Sequence, residues 1–435
     1  MDGDHHQFPA EKRLKPADAG DLEVLPDEIL TLVLSSLTTK QAVQSVAPIN
    51  KKFGRLSSSA PSVHFDVKEF LPPPETLENL RQSGGSISEY EKNFSAFVNC
   101  VFRKRKDGDI DQFKLLWDEE DGNPTPATGW LCKVAHHNPK SLYLYVSSLD
   151  SPWAVPDPVF TIASLQKLVL YLATDVEFSP TAVNFPCLKT LNLGSVTIGN
   201  GVMELILLGS PVVEEMVLED CNLKFSLISS STLKTLEIDE GEISAKTLTI
   251  SIPSLEYLKV RSCEVERLKF ENLDSLVRAE ILVDGLADES KSVDLTGLSS
   301  VTALKLELSG DAWDIENALA EETTQFPVFH NLQTLIVGEG CMTDKLDRVA
   351  SFLQHAPNLK KLVLLHLEPS EDSKIEISLV LGDDLDVVDT TEQEKDESAI
   401  KVVEDIKALF RTIRGGPSRL AFEPQASSSS GCADF

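Results

Sequence analysis

Paired histidines, buried-looking cysteines and a cysteine near the C-terminus are the residues of this 435-residue sequence whose types could hold a metal or act as nucleophiles. His136-His137 follows a predicted helix carrying Trp130 and Val134, and no cysteine stands at ligand spacing, so the pair does not read as a zinc site. The other adjacent pair, His5-His6, falls in a polar stretch. Cys221 and Cys263 each stand three residues beyond an apolar strand pattern, a position that favours a small buried side chain over a metal ligand. Cys432-Ala433-Asp434-Phe435 places a cysteine where prenylation signals do, but Asp434 fills an aliphatic slot and no polybasic run precedes it. Ser83-Gly84-Gly85-Ser86 lacks the lysine and helix of a phosphate loop and reads as a linker. There is no nucleophile elbow, no His-Glu-x-x-His and no paired Cys-x-x-Cys. No catalytic residue, metal or cofactor is expected. The chemistry to look for is recognition.

A net charge of −29 argues against nucleic acid or an anionic membrane as the main partner, since both demand a basic surface. The basic run at 103–106 sits between apolar segments and reads as a solvated turn. No apolar run approaches the length of a membrane span. Seven cysteines without a secretory signal indicate reduced thiols, and hence the cytoplasm or nucleus.

The elements that would carry a recognition surface are legible as a repeat. From residue 110 onward the order apolar, two variable, apolar, one variable, apolar recurs eleven times, from Ile110-Phe113-Leu115 to Leu359-Leu362-Leu364. Successive copies start 20 to 31 residues apart, a period that matches leucine-rich repeats with one short strand each. A lone copy cannot bury its apolar face, so the copies must stack into a parallel sheet over a continuous core. The predicted fold is therefore α/β, a leucine-rich-repeat solenoid behind a helical N-terminal module.

That module begins at Leu25-Pro26-Asp27-Glu28. Proline suits the first turn of a helix and the two acids complement its dipole. Ile29, Leu30, Leu32, Val33, Leu34 and Leu37 cover more than one helix face. Thr38 with Gln41 predicts a capping box on a second helix, and Ile49, Phe53 and Leu56 give a third helix its stripe. Three short helices make a small core, and apolar residues on two faces imply a second surface to cover.

The stretch "LPDEILTLVLSSLTTKQAV" followed by "INKKF" resembles the F-box, and the segments "NFSAFVNCVFRKRKDGDIDQFKLLW" and "FPVFHNLQTLIVGEGC" resemble plant F-box/leucine-rich-repeat proteins. The resemblance implies a module that docks on a Skp-type adaptor and, through it, a cullin ubiquitin ligase. It makes Leu25, Pro26, Ile29, Leu30, Leu37, Val43, Ile49 and Phe53 the expected adaptor contacts. A protein substrate would then bind the repeats. The alternatives are a leucine-rich-repeat scaffold or small-molecule sensor that joins no ligase.

The expected organisation is a disordered stretch at 1–20, the F-box-like module at 21–66, and a linker with the solenoid's N-terminal cap at 67–106. The solenoid follows at 107–368, then an acidic segment at 369–435 with a strand candidate at 375–381, a helix at 398–414 that reads either as a cap on the last repeat or as a detached partner-binding helix, and a Ser-rich tail. Alternation places Glu215, Val217 and Glu219, then Thr235, Glu237 and Asp239, then Tyr257, Lys259 and Arg261 on the concave face. Of these, Glu215, Glu219, Glu237, Asp239, Tyr257, Lys259 and Arg261 are the expected target contacts, with Tyr257 and Arg261 as anchors.

Overall fold

The structure is a computed structural model that describes residues 25–105, 108–118, 122–147, 153–172, 176–263, 265–283, 292–308, 326–338, 347–367, 374–381 and 385–390, with isolated helical residues at 408 and 412. It divides into two compact units, Met1–Glu266 and Arg267–Phe435.

The first unit opens with three short helices. Helix α1 (Asp27–Ser35) starts after Pro26 and keeps Asp27 and Glu28 in its first turn. Helix α2 (Thr39–Gln41) carries the capping box read from the sequence: Gln41 N donates to Thr38 Oγ1 at 3.2 Å, and Thr38 N donates to Gln41 Oε1 at 3.1 Å. It runs on into a π-helical turn at Ala42–Val46. Helix α3 (Lys51–Ser58) is capped by Asn50, whose side-chain oxygen accepts from Phe53 N at 2.8 Å. Leu30, Leu34, Ala42, Phe53 and Leu56 form the shared core, with Leu25, Leu37 and Val46 packed at its margin.

Strand β1 (Ser62–Asp66) comes directly after α3 and pairs in parallel with β2 (Gln112–Asp118). The sheet thus begins inside the segment expected to be wholly helical. The alternation of Val63 and Phe65 is too short to separate from the helical stripe before it. Between these strands the expected linker holds helix α4 (Pro74–Gln82), which buries none of its residues and so leaves no apolar period in the sequence. Helix α5 (Ser88–Lys104) is the expected N-terminal cap and buries Phe94 and Val98. The basic run at its end is not simply solvated: Arg105 donates to Ala60 O at 2.8 Å and to Asp109 O at 3.1 Å.

The parallel ladder continues through β3 (Ser141–Ser147), β4 (Lys167–Tyr171), β5 (Thr190–Gly194), β6 (Glu215–Glu219), β7 (Thr235–Asp239) and β8 (Tyr257–Arg261). The seven repeat copies of this unit land in register: Phe113, Leu142, Leu168, Leu191, Met216, Leu236 and Leu258 are successive partners and all are buried. Short parallel strands at Glu177–Phe178, Thr197–Ile198, Asn222–Leu223 and Glu242–Ile243 form a second sheet. After β2, the α-helices between ladder strands of this unit are, among the described residues, α6 (Thr125–Ala135) and α7 (Val202–Gly209), because a copy of about twenty residues leaves little chain for one. Ser195, Asp220, Glu240 and Ser262 each follow a ladder strand with φ between 49° and 53°, so one left-handed turn recurs without a glycine to announce it.

The second unit repeats the scheme with β9 (Arg278–Val283), β10 (Ala303–Leu308), β11 (Thr334–Val337) and β12 (Lys361–Leu367), all parallel. Helix α8 (Asp347–His355) connects the last two. Strand β13 (Lys374–Leu381), expected from its alternation, adds antiparallel to β12, and β14 (Leu385–Thr390) adds antiparallel to β13. Apart from residues 408 and 412, both helical, the expected helix at 398–414 lies outside the described residues.

Candidate interaction surfaces

Helix α1 resolves its excess of apolar residues by facing two ways. Leu30 and Leu34, four apart, enter the core, with Leu30 only 2% exposed. Ile29, Leu32 and Val33 share the opposite face, and Leu32 is 69% exposed. Pro26 precedes Ile29 by three residues on that same side and is also exposed.

The expected adaptor contacts therefore separate into groups. Pro26, Ile29 and Ile49 are exposed and Leu25 is half-buried. Leu30 and Phe53 belong to the module's core and present no side chain outward. Leu37 and Val43 line a cavity of about 480 Å³ shared with Phe97 and Val101 of α5. Leu32 and Val33 are not among the expected contacts, although their spacing from Ile29 nominates them.

The module is fastened to the start of the sheet. Thr39 Oγ1 accepts from His64 N of β1 at 2.9 Å, so the edge strand does not leave that amide bare. Thr38 Oγ1 donates to Glu69 Oε1 at 2.7 Å, and Lys40 donates to the Glu69 carbonyl with its ammonium 4.2 Å from the Phe70 ring centroid. At the other end of α1, Asp27 pairs with Lys52 at 3.1 Å and Arg55 at 2.8 Å.

On the ladder, register brings the expected target residues together. Glu215, Thr235 and Tyr257 are lateral neighbours, as are Val217, Glu237 and Lys259, and Glu219, Asp239 and Arg261. The charges within this patch satisfy one another more than the sequence alone disclosed. Asp239, only 8% exposed, accepts from Lys259 at 3.0 Å and from Arg261 Nε at 2.7 Å. Burial alone would raise its carboxyl pKa, but the two cations outweigh burial and hold it below the ordinary value. Lys259 also lies 3.5 Å from Glu237. Arg261, expected to anchor a target, is committed to Asp239.

Aromatic neighbours on strands β3 and β4 went unnominated. Tyr145 and Tyr171 stack with ring centroids 5.0 Å apart and planes within 10°. The Tyr171 hydroxyl donates to Glu219 Oε2 of β6. Their outward spacing, shared with Glu219, is visible in the same alternation that nominates Tyr257.

Among the described residues, the candidate metal and thiol side chains bond to the backbone, while His5, His6 and Cys432 lie outside the described residues. Cys221 and Cys263 are buried, and their thiols face carbonyls of Leu193 and Glu219, and of Ile238 and Arg261, at 3.1–3.7 Å. Burial pushes the Cys221 thiol up to about 11, which keeps it protonated and inert. His136 and His137 direct Nδ1 to different backbone carbonyls, Cys132 O and Gly108 O, at 2.6 and 2.8 Å.

Three helices ahead of a ladder with one parallel strand per repeat make a helical module followed by a leucine-rich-repeat solenoid. Comparison with known proteins points the same way: the family description "FBD-associated F-box protein At5g56370, LRR repeats" matches residues 127–231. The chain is 29% identical to the Arabidopsis thaliana "F-box/LRR-repeat protein At3g59200" over 79% of its own length and 68% of the relative's. It is 28% identical to "F-box protein At3g59000" of the same plant, covering 72% and 67%, and 28% identical to "F-box/LRR-repeat protein At3g59210", covering 79% and 73%. The resemblance to plant F-box/leucine-rich-repeat proteins thus holds well beyond the N-terminal motif.

Proposed function

We propose that this chain is the substrate-recognition subunit of a Skp–cullin–F-box ubiquitin ligase, binding the adaptor through residues 21–66 and a protein target through the repeats. The chain itself does no chemistry. It brings a target to an enzyme that others recruit. The observation that carries this reading is the outward apolar face of α1, Ile29, Leu32 and Val33, on a helix whose other face already completes the module's core. Large apolar side chains grouped on one exposed helix face mark a docking surface.

The test is co-purification of the full chain with a Skp-type adaptor and a cullin. Ile29→Glu with Leu32→Glu places charge on the exposed face without entering the core, and should cut adaptor binding by about a hundredfold or more. Undiminished adaptor binding by this folded double variant would overturn the docking assignment. A wild-type chain that purifies without either partner, yet still binds a target, would instead be a scaffold outside any ligase.

A further inference from the structure

One level of the ladder carries, strand by strand, Tyr145, Tyr171, Gly194, Glu219, Asp239 and Arg261. Its two ends differ. At the β7–β8 end, Asp239 lies between Lys259 and Arg261 and the charges are internally matched. At the β3–β6 end, an aromatic pair meets Glu215 and Glu219, neither of which forms a salt bridge among the described residues, although Arg261 feels the Glu219 charge and Lys114 stands 6.0 Å from the Tyr145 ring centroid.

The geometry of that end is built by a missing side chain. A Cβ on Gly194 would stand 2.1 Å from the Tyr171 ring, so Tyr171 occupies the space above β5 and reaches β6. Its hydroxyl there donates to Glu219, which keeps that carboxylate in place without neutralising it. Burial and then the Glu219 carboxylate push the Tyr171 hydroxyl pKa upward, so the phenol remains a donor. Glu215, on the same face of β6, accepts from the Thr190 hydroxyl at 3.1 Å, a neutral donor that leaves its charge in place. Both glutamates are exposed.

We propose that this row is the site at which the target is gripped, and that it takes an arginine side chain, with the guanidinium against the Tyr171–Tyr145 pair and paired to Glu219. The inference rests on the target-binding reading above and moves the recognition centre from Tyr257 and Arg261 towards β4–β6. Arginine is favoured over lysine because a planar guanidinium can stack on a ring while offering parallel N–H donors to one carboxylate. Charge complementarity favours it too, because a chain of net charge −29 draws cationic segments.

Selection of a random peptide library on the immobilised full-length chain tests this. Peptides enriched in arginine are expected. For one selected peptide, replacing arginine by citrulline, or Glu219→Gln in the protein, should each weaken binding about tenfold, as loss of a charge-assisted pair does. Glu219→Gln preserves the acceptor for Tyr171, so folding is not at stake. Tyr145→Ala should weaken binding as well, whereas Tyr257→Ala with Arg261→Ala should leave it unchanged. Absence of arginine enrichment, or equal binding to wild type and Glu219→Gln, overturns the proposal. Adaptor binding measured on the same proteins separates the two readings. Arginine selection without adaptor binding removes the ligase and keeps the row, and the converse removes the row alone.

Discussion

His64 stands where the helical module meets the sheet, and its environment opposes protonation. Burial, then the Lys114 ammonium on the neighbouring strand, lowers its pKa below the ordinary 6.5, and Nε2 is buried with no hydrogen-bond partner. An imidazole whose folded pKa is depressed binds fewer protons in the native than in the unfolded chain. Its contribution to stability is therefore present at neutral pH and lost as pH falls below 6.5 towards the lower folded value. Thermal melts between pH 7.5 and 5.5 should show this loss in the wild type and a flatter profile in His64→Gln. At Gly194 the expected effect is steric. Gly194→Ala must displace the Tyr171 ring, so the hydroxyl contact with Glu219 breaks and stability falls by about 1–2 kcal/mol, measured by urea unfolding. Neither effect could be read from sequence. A lone histidine and a glycine at a strand end look like any others until the register shows their neighbours.

Helix α1 shows how far pattern alone reaches at the scale of an element. The apolar count of Ile29 to Leu37 disclosed two faces, and helical spacing divides them correctly: Leu30 and Leu34 inward, Ile29, Leu32 and Val33 outward. The family motif, by contrast, merges core and surface into one set of contacts, since both faces are apolar. Single substitutions separate them. Leu30→Asp buries a carboxylate in the module and should cost more than about 3 kcal/mol, seen as protease sensitivity around residues 21–66. Ile29→Glu should leave that segment resistant and act on adaptor binding alone. Within each unit the repeat copies are legible down to register, because a period-two pattern with one buried face tolerates no slip. What escaped were β1 and α4, one too short to show a period and the other with no buried face.

For the molecule as a whole, a parallel ladder must end somewhere, and each open edge invites another strand. In the second unit the antiparallel strands β13 and β14 extend the sheet beyond β12, while the helix expected at 398–414 lies, apart from residues 408 and 412, outside the described residues. A chain ending after Leu367 should therefore melt lower and aggregate where the full chain does not. Light scattering and calorimetry distinguish the outcomes. The acidic excess acts at the same scale. Raising salt from about 0.05 M to 0.5 M shortens the screening length several-fold and should slow capture of a cationic peptide far more than its release.

The bonds from Thr38, Thr39 and Lys40 to the segment between His64 and Phe70 make the junction of module and sheet a pinned joint rather than a swivel. A pinned joint works as a ruler. In the ligase role proposed above, a protein held on the first unit's ladder would stand at a set span from whatever the helices hold, and the enzyme delivered there could touch only acceptor lysines lying within that span. Choice among targets would then be made twice, first by which side chain the ladder grips and again by where, on the gripped protein, a lysine happens to stand.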